Sequence, residues 1–238
     1  MVYVVFGEEN ATNTTLILSM VHGDEVTPLY VGVRVFQWIR NNISKYPGTR
    51  VVVAPLVNPD GFFSSRQTRT NANGVDLNRN FYTEDWHRDA LRMWKHKYGS
   101  DHRRFPGNEP ESEPETLFQK MLIEKYRPQK ILSIHAPLNF IDYDGPSVLQ
   151  LSKFPEQYVK KCLELRGLMK ARSGVFYPGS LGNYTGEERG IPTLTLELPT
   201  SDARKARKYW KLFRNGIKTA ITFEVRNYLS QRRTSRRR

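Results

Sequence analysis

The sequence predicts an α/β fold: a single domain with a central mixed, mostly parallel twisted sheet and helices on both faces. Three observations lead there. The chain has 238 residues, enough for one domain with a sizeable core. It holds four short, β-branched apolar runs of the kind seen in strands buried on both faces. Those runs alternate with longer amphipathic patterns, the signature of a parallel sheet covered by helices.

The runs are residues 16–20, 51–56, 131–134 and 193–196. After the first, Thr27 is placed to cap a helix with Pro28 at its first position, and Val33, Phe36, Ile39 and Ile43 form its apolar face. Ser112 and Glu115 have capping-box spacing, and Leu117, Phe118, Met121 and Leu122 follow as a one-sided face. A last helix, from about Asp202 to Tyr228, carries Trp210, Phe213, Ile217, Ile221 and Val225. Residues 82–107, rich in Trp, His, Lys and Arg, are irregular and too long for an ordinary connection, so they are expected to be a surface insertion. The expected organisation is a catalytic domain over residues 1–229 and a basic tail over 230–238.

Composition removes several classes. Hydrophobic residues make up 38% and charged residues 26%, ordinary for a globular chain and too apolar for disorder. No stretch approaches the ~20 apolar residues of a membrane span. A lone cysteine, Cys162, excludes an intramolecular disulfide and a thiolate metal cluster. The net charge is +13, but five arginines lie in the last seven residues, which leaves +8 on the rest. That balance suits an anionic partner or a solubilising surface, and it predicts no specific nucleic-acid partner. Met1–Gly7 is apolar but short and runs directly into Glu8 and Glu9, unlike a secretory signal.

The chemistry gathers where strands end. In an open α/β sheet, ligands bind beyond the carboxyl ends of the strands. His22 and Glu25 follow the first run, Asn58-Pro59-Asp60-Gly61 the second, His135 the third and Glu197 the fourth. Two histidines and a carboxylate make a three-ligand zinc site with a position open for water. A further carboxylate is what such a site needs as general base, and Glu197 is available. Singly each signal is weak, since His-x-x-Glu is a frequent chance match; the joint position at strand ends is what carries weight.

These residues and others resemble the zinc carboxypeptidase (M14) family, and within it the bacterial murein-peptide amidase and cell-shape DL-carboxypeptidase branch. The matching segments are His22-Gly23-Asp24-Glu25, Asn58-Pro59-Asp60-Gly61, residues 71–81 with Asp76-Leu77-Asn78-Arg79, Ser112-Glu113-Pro114-Glu115, Ser133-Ile134-His135 and Leu194-Thr195-Leu196-Glu197. The resemblance implies one Zn²⁺ per chain on His22, Glu25 and His135. It implies that Asn78 and Arg79 hold the substrate's terminal carboxylate, a task for which a guanidinium fork is suited. It assigns an oxyanion-stabilising arginine, Arg69, with Arg66 the alternative, and a tyrosine that closes over substrate, either Tyr177 or Tyr184. Residues 135–146 are similar to the murein-peptide branch, which cuts the bond between γ-D-glutamyl and meso-diaminopimelate. That branch implies a bacterial protein with a peptide substrate, in the cytoplasm as the chain stands or in the periplasm if a leader has been removed. Family members usually carry an additional strand and turn before the first zinc motif; only 21 residues precede His22, which predicts a sheet that begins later or is abbreviated.

Two other readings compete. A deacylase of the desuccinylase or aspartoacylase type shares the metal site and the Asp-Leu-Asn-Arg pattern, but Asn58-Pro59-Asp60-Gly61 and Ser112-Glu113-Pro114-Glu115 favour the peptidase. A binding module for an anionic polymer, with an inactive pocket, would use the basic surface; every ligand and base of the site is nevertheless in place.

Overall fold

The computed structural model describes residues 1–146, 149–160 and 177–225. Cys162 and the tail over 230–238 lie outside the described residues.

Six strands form one sheet: β1 (Val2–Gly7), β2 (Asn13–Ser19), β3 (Thr49–Leu56), β4 (Lys130–His135), β5 (Phe140–Asp144) and β6 (Thr193–Glu197). Their order is β1-β3-β2-β4-β6-β5. The inner strands β3, β2, β4 and β6 are parallel, and β1 and β5 close the two edges antiparallel. The four apolar runs are these inner strands. They read as continuous apolar stretches because both faces are covered. Ile17, Val53 and Leu132 face one core with Phe213 and Ile217, whereas Leu16, Val52 and Ile131 face the other with Leu77, Phe81 and Leu122. Successive residues of a strand point to opposite sides, so each run feeds both cores.

The edge strands were not among the four runs. β1 is the short apolar segment at the start of the chain, so two strands precede His22. β5 is five residues long with two acids, too short and polar to stand out.

Among the described residues, helices α1 (Val26–Asn42), α2 (Pro59–Phe63), α3 (Trp86–Lys97), α4 (Pro114–Tyr126) and α5 (Ala206–Thr222) accompany the sheet. α1 and α5 cover one face together. Two expected helix starts are corrected. The residue at the start of α1 is Glu25, not Thr27, whose buried hydroxyl donates instead to the Thr200 carbonyl at 2.7 Å. At α4 the cap position is Glu113, with Pro114 following; Ser112 donates to Glu113, and Glu115 accepts from Asn71, so no capping box closes. The apolar faces shift accordingly. α1 buries Val31, Val35 and Ile39 and exposes Val33, and α4 buries Leu122 and Ile123 while Leu117 and Met121 are exposed. α5 buries Trp210, Phe213, Ile217 and Ile221 as the sequence indicates, but begins at Ala206 and ends at Thr222.

Residues 82–107 are not irregular: α3 occupies their first half and a 3₁₀ turn, His102–Arg104, follows. The segment is tied to the Asp76–Arg79 region beneath it. Trp86 Nε1 donates to the Arg79 carbonyl at 2.8 Å, and the Asp76 amide donates to the Phe105 carbonyl at 2.7 Å.

Candidate active site

The carboxyl ends of the adjacent parallel strands β2, β4 and β6 bring His22, Glu25, His135 and Glu197 to one rim. His22 and Glu25 lie on the turn leaving β2. That turn needs glycine at position 23 because the chain passes against Gly61: a Cβ on Gly23 would lie 2.3 Å from the Gly61 carbonyl carbon. Asn58 caps the short helix α2, accepting from the Gly61 amide at 2.8 Å. The His22-Gly23-Asp24-Glu25 and Asn58-Pro59-Asp60-Gly61 segments are thus two backbones in contact.

His22, Glu25 and His135 are buried, and one donor atom from each lies within 4.8 Å of the others. His22 Nδ1 is 2.7 Å from Glu25 Oε1, His135 Nδ1 is 3.1 Å from Glu25 Oε2, and the two Nδ1 atoms are 3.2 Å apart. Tetrahedral zinc with bonds of ~2.0–2.1 Å separates its ligand atoms by about 3.3 Å, so the three residues lie near enough together to hold that ion. The far side of each ring is held. His22 Nε2 faces Asp76 Oδ1 at 3.1 Å, and His135 Nε2 faces Ser133 Oγ at 2.9 Å. Both rings therefore turn Nδ1 to the shared centre, an orientation fixed by outer hydrogen bonds. Burial opposes ionisation of Glu25, yet the two histidines hold its carboxyl far below the usual range.

Glu197 ends β6 directly beside His135, its partner across the parallel β4–β6 ladder. Burial pushes its carboxyl up to about 7, with His135 pulling it down and Glu25 adding to the rise. One carboxylate of the rim is firmly ionised while its neighbour titrates near neutrality, the division of labour a ligand and a base require.

Arg69 lies over the cluster. Its Nε donates to Asp76 Oδ2 at 2.9 Å, and its Nη1 is 3.4 Å from Glu25 Oε1 and 3.1 Å from His22 Nδ1. Arg66 is exposed and does not reach the cluster. Asp76, fully buried, joins Arg69 to His22; burial raises its carboxyl, but Arg69 and His22 hold it well below the carboxylate range.

Asn78 and Arg79 follow Asp76 in a 3₁₀ turn. Asn78 Oδ1 accepts from the Leu181 amide at 2.8 Å. Arg79 is buried, stacks at 4.3 Å on the ring of Tyr177, and leaves Nε without a hydrogen-bond partner among the described residues. Tyr184 is elsewhere: it is buried in the core against Phe81, at 5.1 Å between ring centres, with Arg189 over its face. Tyr177 thus lies at Arg79, and Tyr184 packs on Phe81.

Two parts of the site carry no assignment from sequence. Asp76 and Ser133 lie inside matching segments, but their task depends on which ring nitrogen each histidine turns outward. The purpose of Ser112-Glu113-Pro114-Glu115 is also structural: Asn71 donates to Glu113 at 2.6 Å and to Glu115 at 2.9 Å, while its own oxygen accepts from the Asn73 and Val75 amides. This knits the loop that delivers Asp76.

Comparison with known proteins agrees with this geometry. The profile of the zinc carboxypeptidase family, peptidase M14, matches residues 4–231. Murein peptide amidase A of Vibrio campbellii is 32% identical over 192 residues, covering 79% of this chain and 70% of the relative. Its counterpart in Escherichia coli K12 is 29% identical over 194 residues, covering 80% and 73%. Among solved structures, murein-tripeptide amidase MpaA from Escherichia coli O157 superposes with a TM-score of 0.57 at 26% identity, over 91% of this chain and 85% of the other. Bovine thrombin-activatable fibrinolysis inhibitor shares the fold, with a TM-score of 0.66 at 16% identity over 94% and 86%. The chain belongs to the zinc carboxypeptidase (M14) family and is a metallopeptidase, a hydrolase acting on peptide bonds.

Proposed function

We propose that the protein is a metallocarboxypeptidase that hydrolyses the γ-D-glutamyl–meso-diaminopimelate bond of bacterial murein peptides, with one zinc ion on His22, Glu25 and His135. The observation that carries the reading is the pairing of a buried His22–Glu25–His135 donor set with the neighbouring Glu197, whose carboxyl is pushed up to about 7. The named relatives, both murein peptide amidases, support the substrate. Residues 1–229 act as the catalytic domain, with 82–107 as an insertion and 230–238 as a tail.

His22, Glu25 and His135 would hold the zinc, which when bound would supply Lewis-acid chemistry to the scissile carbonyl and to water. Glu197 takes the attacking water's proton on its carboxylate and passes it to the leaving amine. Arg69 donates to the developing oxyanion, a contribution of ~3 kcal/mol for one such donor. Arg79 and Asn78 hold the carboxylate of the leaving residue, and the ring of Tyr177 supports the Arg79 guanidinium. A free carboxylate next to the cleaved bond is therefore required.

The deciding experiment is mass spectrometry of L-Ala-γ-D-Glu-meso-diaminopimelate incubated with the enzyme, with and without chelator and with Glu197→Gln. Release of diaminopimelate that needs both metal and Glu197 is expected. No release from zinc-loaded protein would overturn the substrate and direct attention to ordinary C-terminal peptides, then acyl-amino acids.

A further inference from the structure

A groove of about 480 Å³ opens beside Arg69, between residues 66–74 and the turn at 102–105. That volume lies in the range of small-molecule sites, and the groove is open to solvent. Three arginines, Arg66, Arg69 and Arg103, line it beside neutral polar groups such as Gln67, Thr68 and Asn73, and no acid does.

The three guanidinium groups are not equivalent. Arg69 is committed to Asp76 and Glu25, and Arg103 is paired with Asp24 at 2.8 Å. Arg66 is exposed and forms no ion pair among the described residues. The groove therefore holds one guanidinium fork whose charge nothing nearby neutralises, three residues along the loop from the arginine over the metal cluster.

The turn at 102–105 also separates this groove from the other arginine of the site. Arg104 faces away, lining the small cavity beside Arg79 together with Tyr98, whereas His102, Arg103 and Phe105 line the groove. The groove thus shares Arg69 and lies across this turn from the Arg79 cavity, so a peptide with its leaving residue at Arg79 and its scissile carbonyl at Arg69 has the groove on its acyl side.

We infer that the groove receives the residue on the acyl side of the cleaved bond, and that Arg66 selects a free carboxylate on that residue. The inference rests on the reading above, in which that carboxylate is the α-carboxylate of the γ-linked glutamate. Arg66 is thus a specificity-determining residue for an acidic acyl group. The planar fork meets both oxygens of a carboxylate, whereas a carboxamide carries no charge and offers one acceptor oxygen with a donor in place of the second.

The test uses zinc-loaded enzyme and two tripeptides, L-Ala-γ-D-Glu-meso-diaminopimelate and the same peptide with the glutamate α-carboxylate amidated. The wild type should prefer the acid by about tenfold or more in kcat/KM, mainly through KM. Arg66→Gln should bring the two values within about twofold of each other, and Arg66→Lys should restore part of the preference, because charge without the fork still attracts. Equal rates on the two peptides in the wild type, or a preference that survives Arg66→Gln, overturn the role of Arg66 while leaving the proposed function standing. Failure to cleave either peptide overturns the proposed function, and the role of Arg66 with it.

Discussion

Asp76 joins two parts of the site that differ in kind: its Oδ1 lies 3.1 Å from Nε2 of His22, and its Oδ2 accepts from Nε of Arg69 at 2.9 Å. One buried carboxylate thus orients a metal-facing imidazole and the guanidinium over the same centre. Asp76→Asn keeps the shape but removes the charge. It is expected to lower zinc affinity about 10–100-fold, read by competition with a chromogenic chelator. Undiminished affinity would show that the backbone alone holds His22 in place.

Glu197→Gln should retain zinc, because Glu197 is not one of the three gathered donors, and should lose about 10²–10⁴-fold in turnover. Metal content by elemental analysis and hydrolysis rate are measured on the same sample. Near-normal turnover would remove Glu197 as the base.

His135→Ala deletes one of the three donors and leaves the Glu25 carboxylate with a single histidine partner. Zinc binding should weaken strongly, and full occupancy after dialysis against a mild chelator would reject the ligand set. Ser133→Ala, which releases only the far nitrogen of the His135 ring, should produce a smaller loss in the same assay.

Arg79→Ala should damage cleavage of substrates with a free terminal carboxylate far more than cleavage of their amidated counterparts. An equal loss on both would show that Arg79 supports the fold and not the substrate.

The pH dependence of stability should carry the mark of Lys130. Its ammonium is buried beneath the sheet, where Nζ donates to Asn13 and to the Phe223 carbonyl at 2.8 Å, and burial pulls its pKa down to about 7. Between pH ~7 and the unfolded value of ~10.4 the unfolded chain binds the proton that the folded chain has released, so Lys130 adds stability as pH rises through that window. Below pH 7 both states are protonated and its cost is fully present. Lys130→Met should flatten this slope in denaturant titrations run from pH 7 to 10. An unchanged slope would place the titration in another group.

The inner sheet was legible because a strand covered on both faces carries a run of consecutive apolar residues, as Leu16–Leu18 in β2, Val51–Ala54 in β3 and Ile131–Leu132 in β4 do. The edge strands were not: β1 is apolar but half exposed at the very start of the chain, and β5 is five residues long and interrupted by Asp142 and Asp144. Helix faces in α1 and α4 were misjudged because the residues that seemed to cap them are engaged elsewhere: Thr27 with Thr200, Glu115 with Asn71. Within the site, residues at strand ends stood out as an ensemble. Asp76 and Ser133 did not, since the need for them exists only once each ring is known to turn Nδ1 inward. No pattern in the chain separates Tyr177 from Tyr184, which lie seven positions apart and differ only in what packs on them.

The order of the sheet also sets an order in time. His22 and Glu25 leave β2 early in the chain, His135 ends β4 midway, and Glu197 arrives only with β6, which must be made and docked beside β4 before the base exists. A chain cut short after residue 135 has every metal donor in its sequence but lacks β6 and α5, which cover β4 and one core. The metal centre and the base are therefore expected to mature together, when the last third of the chain docks.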